Sequence, residues 1–263
     1  MKLFLIRHGM TKGNQEHRYV GATDESILPS EKERLRTSVE RYFGNYQKDN
    51  KDSKIYISPM RRCMETAECL FPDMISQGRY EIIDNFREMD FGAFEYRNYQ
   101  EINEDPDPEH REAYQRYIDS NGETAFPGGE SKEEFIERVV RGFNSIVSDY
   151  PLPSKRKSFI HIESIDSIDE LKGEKTISSK KTGNPENSTN RVFSEQKKVN
   201  TDSNAETLIF MVHGGTIMAL LDRFSEPHRD YFEWSLKPGQ GYETDITVDQ
   251  HGDLKIINIK KIG

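Results

Sequence analysis

Four short apolar runs in this chain end on residues that could do chemistry. Leu3 to Ile6 runs into Arg7, His8 and Gly9. Lys54-Ile-Tyr-Ile57 leads to Ser58-Pro59 and on to Arg62. Glu81-Ile-Ile83 ends near Phe86 and is followed by Glu88. Thr207-Leu-Ile-Phe-Met-Val212, the strongest run, ends at His213-Gly214-Gly215. Unbroken apolar runs of this kind read as strands buried on both faces of a parallel sheet. In open α/β sheets ligands collect at the carboxyl ends of the strands. One pocket is therefore expected to gather two arginines, two histidines and a glutamate.

A phosphoryl group suits that set. Its oxygens carry spread negative charge through the transition state, and catalysis is mostly positioning and electrostatics. Arginine grips phosphate in two places with a planar fork, a role for Arg7 and Arg62. His8 would attack phosphorus through a neutral ring nitrogen, kept free by the neighbouring guanidinium groups. His213 would hold a phosphate oxygen from the other side. Glu88 would protonate the departing oxygen and then deprotonate water. Backbone N–H groups near Gly9 and Gly214 would complete the cradle. A metal site is the rival for two histidines and a carboxylate, but two fixed cations would repel the ion. The chain also lacks a His-Glu-x-x-His pair, a close metal-ligand cysteine pair and a phosphate loop ending in Gly-Lys-Ser or Gly-Lys-Thr. Neither metal nor cofactor is expected.

Arg7-His8-Gly9, Thr11, Asn14, Arg18-Tyr19, Gly21 and Asp24 stand at spacings that resemble the histidine phosphatase (phosphoglycerate-mutase-like) superfamily. The resemblance extends to Ser58-Pro-Met-Arg-Arg62-Cys-Met-Glu-Thr66, Arg87-Glu88-Met-Asp-Phe91-Gly92, Pro127-Gly-Gly-Glu130-Ser131 and Val212-His213-Gly214-Gly215. It implies Arg62, four before the threonine, as the phosphate-binding arginine, with Arg61 a surface charge. It implies Glu88, three before the aromatic, as proton donor in preference to Asp90. It also makes Asn14 a phosphate-pocket residue, and Val20 and Gly21 substrate-loop positions. The chain departs at Met10, Lys32 and Tyr96, where relatives often carry Glu or Gln, glycine and glycine. These departures leave the substrate open and the reaction class intact.

Positioning these groups requires strands that alternate with helices. Pro29 and Ser30 open a helix to about Phe43, with Ser30 and Glu33 spaced as a capping box. A polar linker fills 45–54. A helix after Pro59 runs through Leu70, where Pro72 stops it. Residues 87–130 form a long excursion. Ser131 and Glu134 cap a helix to about Tyr150, and another follows His213 to Phe224. Asp245 to Val248 and Leu254 to Lys260 flank His251-Gly252-Asp253 as a hairpin. The expected architecture is a three-layer α/β fold: a mainly parallel sheet, helices on both faces and a late antiparallel addition. One domain over 1–263 accommodates it, with a low-complexity insertion at 151–206. From Glu163 to Asn204 that insertion holds one aromatic, Phe193. Such a segment buries too little apolar surface to offset its ordering entropy.

The net charge of −9 argues against a nucleic-acid partner. An anionic substrate must be drawn by local arginines. Cys63 and Cys69, six apart on one helix, do not form a disulfide framework and fit a reducing compartment. No apolar stretch is long enough for a signal peptide or membrane span, so a cytoplasmic monomer or homodimer without membrane contact is expected.

The expected partner is a small phosphorylated metabolite. Ala93 to Pro127 should roof the pocket, with nine carboxylates against Arg97, Arg111 and Arg116. A mutase needs extra basic groups there, so release of phosphate to water leads as the reading. Of the aromatics Phe94, Tyr96, Tyr99, Tyr114, Tyr117 and Phe126, most should pack together, leaving one or two to stack on a ring in the leaving group. Arg18-Tyr-Val-Gly21 to Asp24, with Asp90-Phe-Gly92, looks most like the α-ribazole phosphatase branch, whose members act in cobalamin assembly. A phosphoglycerate mutase and a non-catalytic phospho-ligand or partner-binding module are the alternatives.

Overall fold

A computed structural model of the chain describes residues 1–43, 53–152 and 207–263. The expected insertion, from 153 on, and most of the expected linker lie outside them. The described strands are β1 (Lys2–Arg7), β2 (Lys54–Ile57), β3 (Tyr80–Ile82), β4 (Thr207–Val212), β5 (Gly241–Val248) and β6 (Leu254–Ile262). They form one sheet in the order β3-β2-β4-β1-β5-β6. The first four neighbours run parallel and the last two add antiparallel.

Strand alternation splits the core into two layers. Leu3, Leu5, Leu208, Phe210 and Val212 face one layer, which includes Phe135 and Phe143. Phe4, Ile6, Ile55, Ile57, Ile209 and Met211 face the other, with Leu35, Cys63 and Leu70. Both sides of β1 and β4 are thus dry, which is why those strands read as continuous apolar runs.

The helices are α1 (Lys12–Gln15), α2 (Pro29–Phe43), α3 (Arg61–Leu70), α4 (Pro72–Ser76), α5 (Tyr99–Asn103), α6 (Pro108–Asp119), α7 (Lys132–Val147) and α8 (Gly214–Phe224). The Ser131 hydroxyl accepts from the Glu134 N–H at 3.3 Å, and the Glu134 carboxylate accepts from the Ser131 N–H at 2.9 Å. That capping box opens α7 as the spacing requires.

The start of α2 differs from expectation: Pro29 is already helical, so Ser30 lies inside the first turn and not at a cap. Pro72 does more than stop α3, because its fixed φ and missing N–H suit the first turn of α4. The 87–130 excursion carries α5 and α6, each with its own side-chain cap from Asn98 or Asp107. No described helix is long and apolar enough to cross a membrane. Cys63 and Cys69 are both free and buried.

Candidate active site

The parallel pairing of β1 with β4 runs from Lys2 opposite Thr207 to Arg7 opposite Val212. The next residue of each strand is a histidine. The His8 N–H donates to the Val212 carbonyl at 3.0 Å, and the His8 and His213 ring centroids lie 5.2 Å apart. Two motifs separated by about two hundred residues therefore meet because of strand register.

His8 is buried, and its Nδ1 lies 2.8 Å from the Gly9 carbonyl oxygen. A carbonyl only accepts, so Nδ1 carries the proton and Nε2 keeps a bare lone pair. Burial, then the Arg62 and Arg7 guanidinium groups, hold the His8 pKa well below 6.5. The ring is neutral at pH 7 with its Nε2 lone pair free.

Arg62 is fully buried at the start of α3. Its guanidinium donates to the carbonyls of Thr23 at 2.8 Å, Gly21 at 3.0 Å and Val20 at 3.3 Å. Val20 and Gly21 thus hold the arginine through their backbone, and Gly21 also lines a cavity beside Glu88. The Arg62 Nε–H donates to His213 Nδ1 at 3.3 Å, and His213 Nε2 meets Ser58 Oγ at 2.7 Å. With Nδ1 accepting, Nε2 carries the proton. Burial, then Arg62 and His8, lower the His213 pKa well below 6.5.

Arg7 donates to the Leu236 carbonyl, and its buried Nε has no protein partner. An unsatisfied buried donor is costly, and an incoming anion would satisfy it. Gly214 makes room for this group: a Cβ there would stand 3.2 Å from the Arg7 guanidinium carbon. Gly9 does not join the cradle. Its N–H donates to Thr66 Oγ1 at 2.9 Å, while the Thr66 hydroxyl donates to the Arg62 carbonyl at 2.6 Å. The Gly214 N–H, first in α8, has no partner within the helix and remains for an anion.

Glu88 completes the cluster. Its Oε2 accepts from the Gly215 N–H at 3.3 Å and its Oε1 from the Met89 N–H at 3.0 Å. Residues 3–153, more than half of the chain, match the family model of the histidine phosphatase superfamily (branch 1). The chain belongs to that superfamily.

Among curated relatives, a bifunctional protein of Mycobacterium tuberculosis is 29% identical over 153 residues, covering 57% of this chain and 38% of that protein. Phosphoglycerate mutase-like protein 4 of Arabidopsis thaliana is 25% identical over 148 residues, covering 55% and 60%. The matches thus span less than two thirds of those relatives. The fold is shared with the alpha-ribazole phosphatase of Shigella flexneri (TM-score 0.61, 18% identity, 97% of this chain and 94% of that one). It is also shared with a phosphoglycerate mutase of Thermus thermophilus (TM-score 0.50, 20% identity, 100% and 99%).

Other predicted residues of the chain are placed as follows. Asn14 forms a reciprocal cap with Thr11 at α1: its N–H donates to Thr11 Oγ1 at 3.2 Å, and its Oδ1 accepts from the Thr11 N–H at 3.4 Å. Arg61 is exposed, and its N–H donates to Asp24 at 2.6 Å.

The sequence reading missed a strut formed by Arg138 and Glu130. The Arg138 guanidinium is held bidentately by Glu130, both contacts at 2.7 Å. It also donates to the carbonyls of Asn85, Arg87 and Glu88 at 2.9, 3.1 and 3.3 Å. It therefore fastens the loop that carries Glu88. The signal was available in the Pro127-Gly-Gly-Glu130 element. A Cβ on Gly129 would lie 2.4 Å from the Asp90 carbonyl, so only glycine lets the two backbones meet and deliver Glu130.

None of Ala93 to Pro127 lines the cavity beside Glu88, although Tyr117 of this segment lies close enough to Glu88 for its charge to add to the burial that raises the Tyr117 pKa. The segment's aromatics pack on each other, Tyr117 stacking on Phe126 at 3.8 Å and Phe94 meeting Tyr114 and Phe126 edge-on. Tyr96 and Tyr99 are engaged by Arg18 and Tyr114. Arg97 and Arg116 pair with Asp105 and Glu112 of the same segment, and Arg111 donates to the Asp105 carbonyl.

Proposed function

We propose that the chain is a phosphomonoesterase that works through a phosphohistidine on His8. The observation that carries this is the tautomer forced on His8 by the Gly9 carbonyl, which leaves Nε2 bare in a neutral ring between two guanidinium groups. His8 Nε2 attacks phosphorus, and the bond from phosphorus to the ester oxygen breaks. Glu88 gives its proton to that oxygen. In the second step Glu88 takes a proton from water, whose oxygen attacks phosphorus. The bond to Nε2 breaks and inorganic phosphate leaves. Arg7, Arg62 and the Gly214 N–H neutralise the equatorial oxygens, with His213 and Asn14 at the edge of that cradle. No step draws on a metal.

Release to water is favoured over a mutase reaction because the excursion's arginines are engaged within their own segment. Buried, unpaired thiols support the reading of a cytoplasmic protein. Fold similarity supports α-ribazole phosphate, a step in cobalamin assembly, as a candidate substrate.

Hydrolysis of p-nitrophenyl phosphate in the presence of chelator tests the reaction. His8→Ala should lower kcat by at least about a thousandfold, and acid-labile phosphate should be absent from the quenched variant. Glu88→Gln should cost about 10²–10⁴-fold on an alkyl phosphate and markedly less on the aryl ester, whose leaving group needs no proton. Full activity in His8→Ala would exclude the nucleophile. Isomerisation of phosphoglycerate in the presence of its bisphosphate, with little free phosphate, would favour the mutase.

A further inference from the structure

Next to Glu88 lies a cavity of about 230 Å³. Its wall includes Glu88 but neither histidine, and neither Arg7 nor Arg62. Since Glu88 is the group that protonates the oxygen between phosphorus and the leaving group, a cavity that Glu88 itself lines is the space open to that leaving group. We propose that this cavity selects a small uncharged polyol, about the size of a pentose, over a leaving group that carries a second anion. This rests on the phosphomonoesterase reading and narrows its substrate class.

Size sets the first limit. Pockets for drug-sized ligands run to about 300–1,000 Å³, and this one falls below that range. It admits a sugar ring, while a base attached to that sugar would extend outside.

Charge sets the second limit. Four charged side chains besides Glu88 line the wall: Arg87, Arg138, Asp90 and Glu130. Arg138 is matched by the two-point contact with Glu130. Arg87 is matched by Asp84 at 3.1 Å, and its other terminal nitrogen rests on the Met60 sulfur at 3.6 Å. The Asp90 carboxylate accepts only the Gly92 N–H, through Oδ1 at 2.9 Å, and pairs with no cation among the described residues. One negative charge is left over, and ionised Glu88 makes two after proton transfer. A carboxylate or second phosphate entering here meets repulsion, whereas a hydroxyl finds an acceptor in Asp90. Met60 and Ala22 supply an apolar side for the C–H face of a sugar.

The rival outcome is that Arg87, an exposed side chain, leaves Asp84 and grips an anion. Kinetics on the full chain separates the two. The substrates are ribose 5-phosphate, 3-phosphoglycerate and p-nitrophenyl phosphate, each at low and high ionic strength. Ribose 5-phosphate should exceed 3-phosphoglycerate in kcat/KM by about tenfold, and salt should narrow that ratio by screening. Asp90→Asn keeps the acceptor for Gly92 and removes the charge, so it should narrow the ratio about fivefold.

Preference for 3-phosphoglycerate, or a ratio that neither salt nor Asp90→Asn moves, would overturn the proposal. If Asp90→Asn does not fold, the salt series on the native chain decides. Failure to hydrolyse even p-nitrophenyl phosphate would bring down the phosphatase reading, and the cavity's role with it. Hydrolysis of the aryl ester with preference for the anionic sugar acid would bring down the cavity proposal alone.

Discussion

Gly215 shows how a residue without a side chain can set the place of a carboxylate. It sits in the first turn of α8, where alanine would favour the helix by roughly 1 kcal/mol. A Cβ there, however, would stand 2.3 Å from Glu88 Oε1. The carboxylate is the flexible partner and would move. The buried Phe135 ring, 3.1 Å from the same position, must also give, so Gly215→Ala is expected to leave the melting temperature level or lower while reducing kcat on an alkyl phosphate about a hundredfold, the scale of a displacement near 1 Å. Unchanged kcat would mean that Glu88 does not act from its observed position. Tyr96 is the opposite case. It stands where the superfamily resemblance leads to glycine being expected, and its φ of +59 is one that glycine adopts freely. The Arg18 guanidinium over its ring and the bond from its hydroxyl to Glu25 hold it there.

At the scale of elements, Glu88 is held by a helix it does not belong to. Arg138 on α7 ties down three carbonyls of the Asn85–Glu88 loop, and Glu130 balances its charge. Arg138→Lys keeps the charge and loses the fork. It should cost about 2 kcal/mol in denaturant unfolding, in line with hydrogen bonds to a charged group. The kinetic signature is more telling. If Arg138 positions Glu88, the variant should lose activity on alkyl phosphates about tenfold more than on aryl phosphates, as Glu88→Gln would. Equal losses on both esters would reduce Arg138 to a purely structural part.

Across the whole molecule, two buried neutral histidines make stability depend on pH. Unfolded, each binds a proton near pH 6.5; folded, burial and the arginines hold their pKa values well below that. The unfolded chain therefore binds more protons in mild acid. Stability present above pH 6.5 is lost as pH falls toward the folded values, by up to about 2.7 kcal/mol per pH unit for the pair. Ordinary carboxylates titrate lower, so the window from about pH 6.5 to 5 isolates the histidines. Denaturation across it should show this slope, and His8→Gln should remove about half of it. An identical slope in the variant would show that His8 is not held neutral.

Much was legible in the chain itself. Strands β1 and β4 announced themselves because both faces are buried, leaving no polar alternation to obscure them. The Ser131 cap was local, decided by groups three residues apart. His8, Arg62, Glu88 and His213 stood out because phosphate chemistry demands cations and an imidazole at strand ends. What spacing could not give was which backbone groups those side chains use. The Gly9 N–H went to Thr66, and the Val20 and Gly21 carbonyls to Arg62, because partners dozens of residues away arrive only when helices dock. The aromatics and charges of Ala93 to Pro127 are dense and largely satisfy one another, and the cavity beside Glu88 is lined instead by the two ends of the excursion, through Arg87, Glu88 and Asp90 at one and Glu130 at the other. Residue types and their order along the strands thus determined which side chains stand at the strand ends. The zero-offset pairing of β1 with β4, and the strut from α7, decided how those parts meet, because register and docking depend on contacts far apart in the chain.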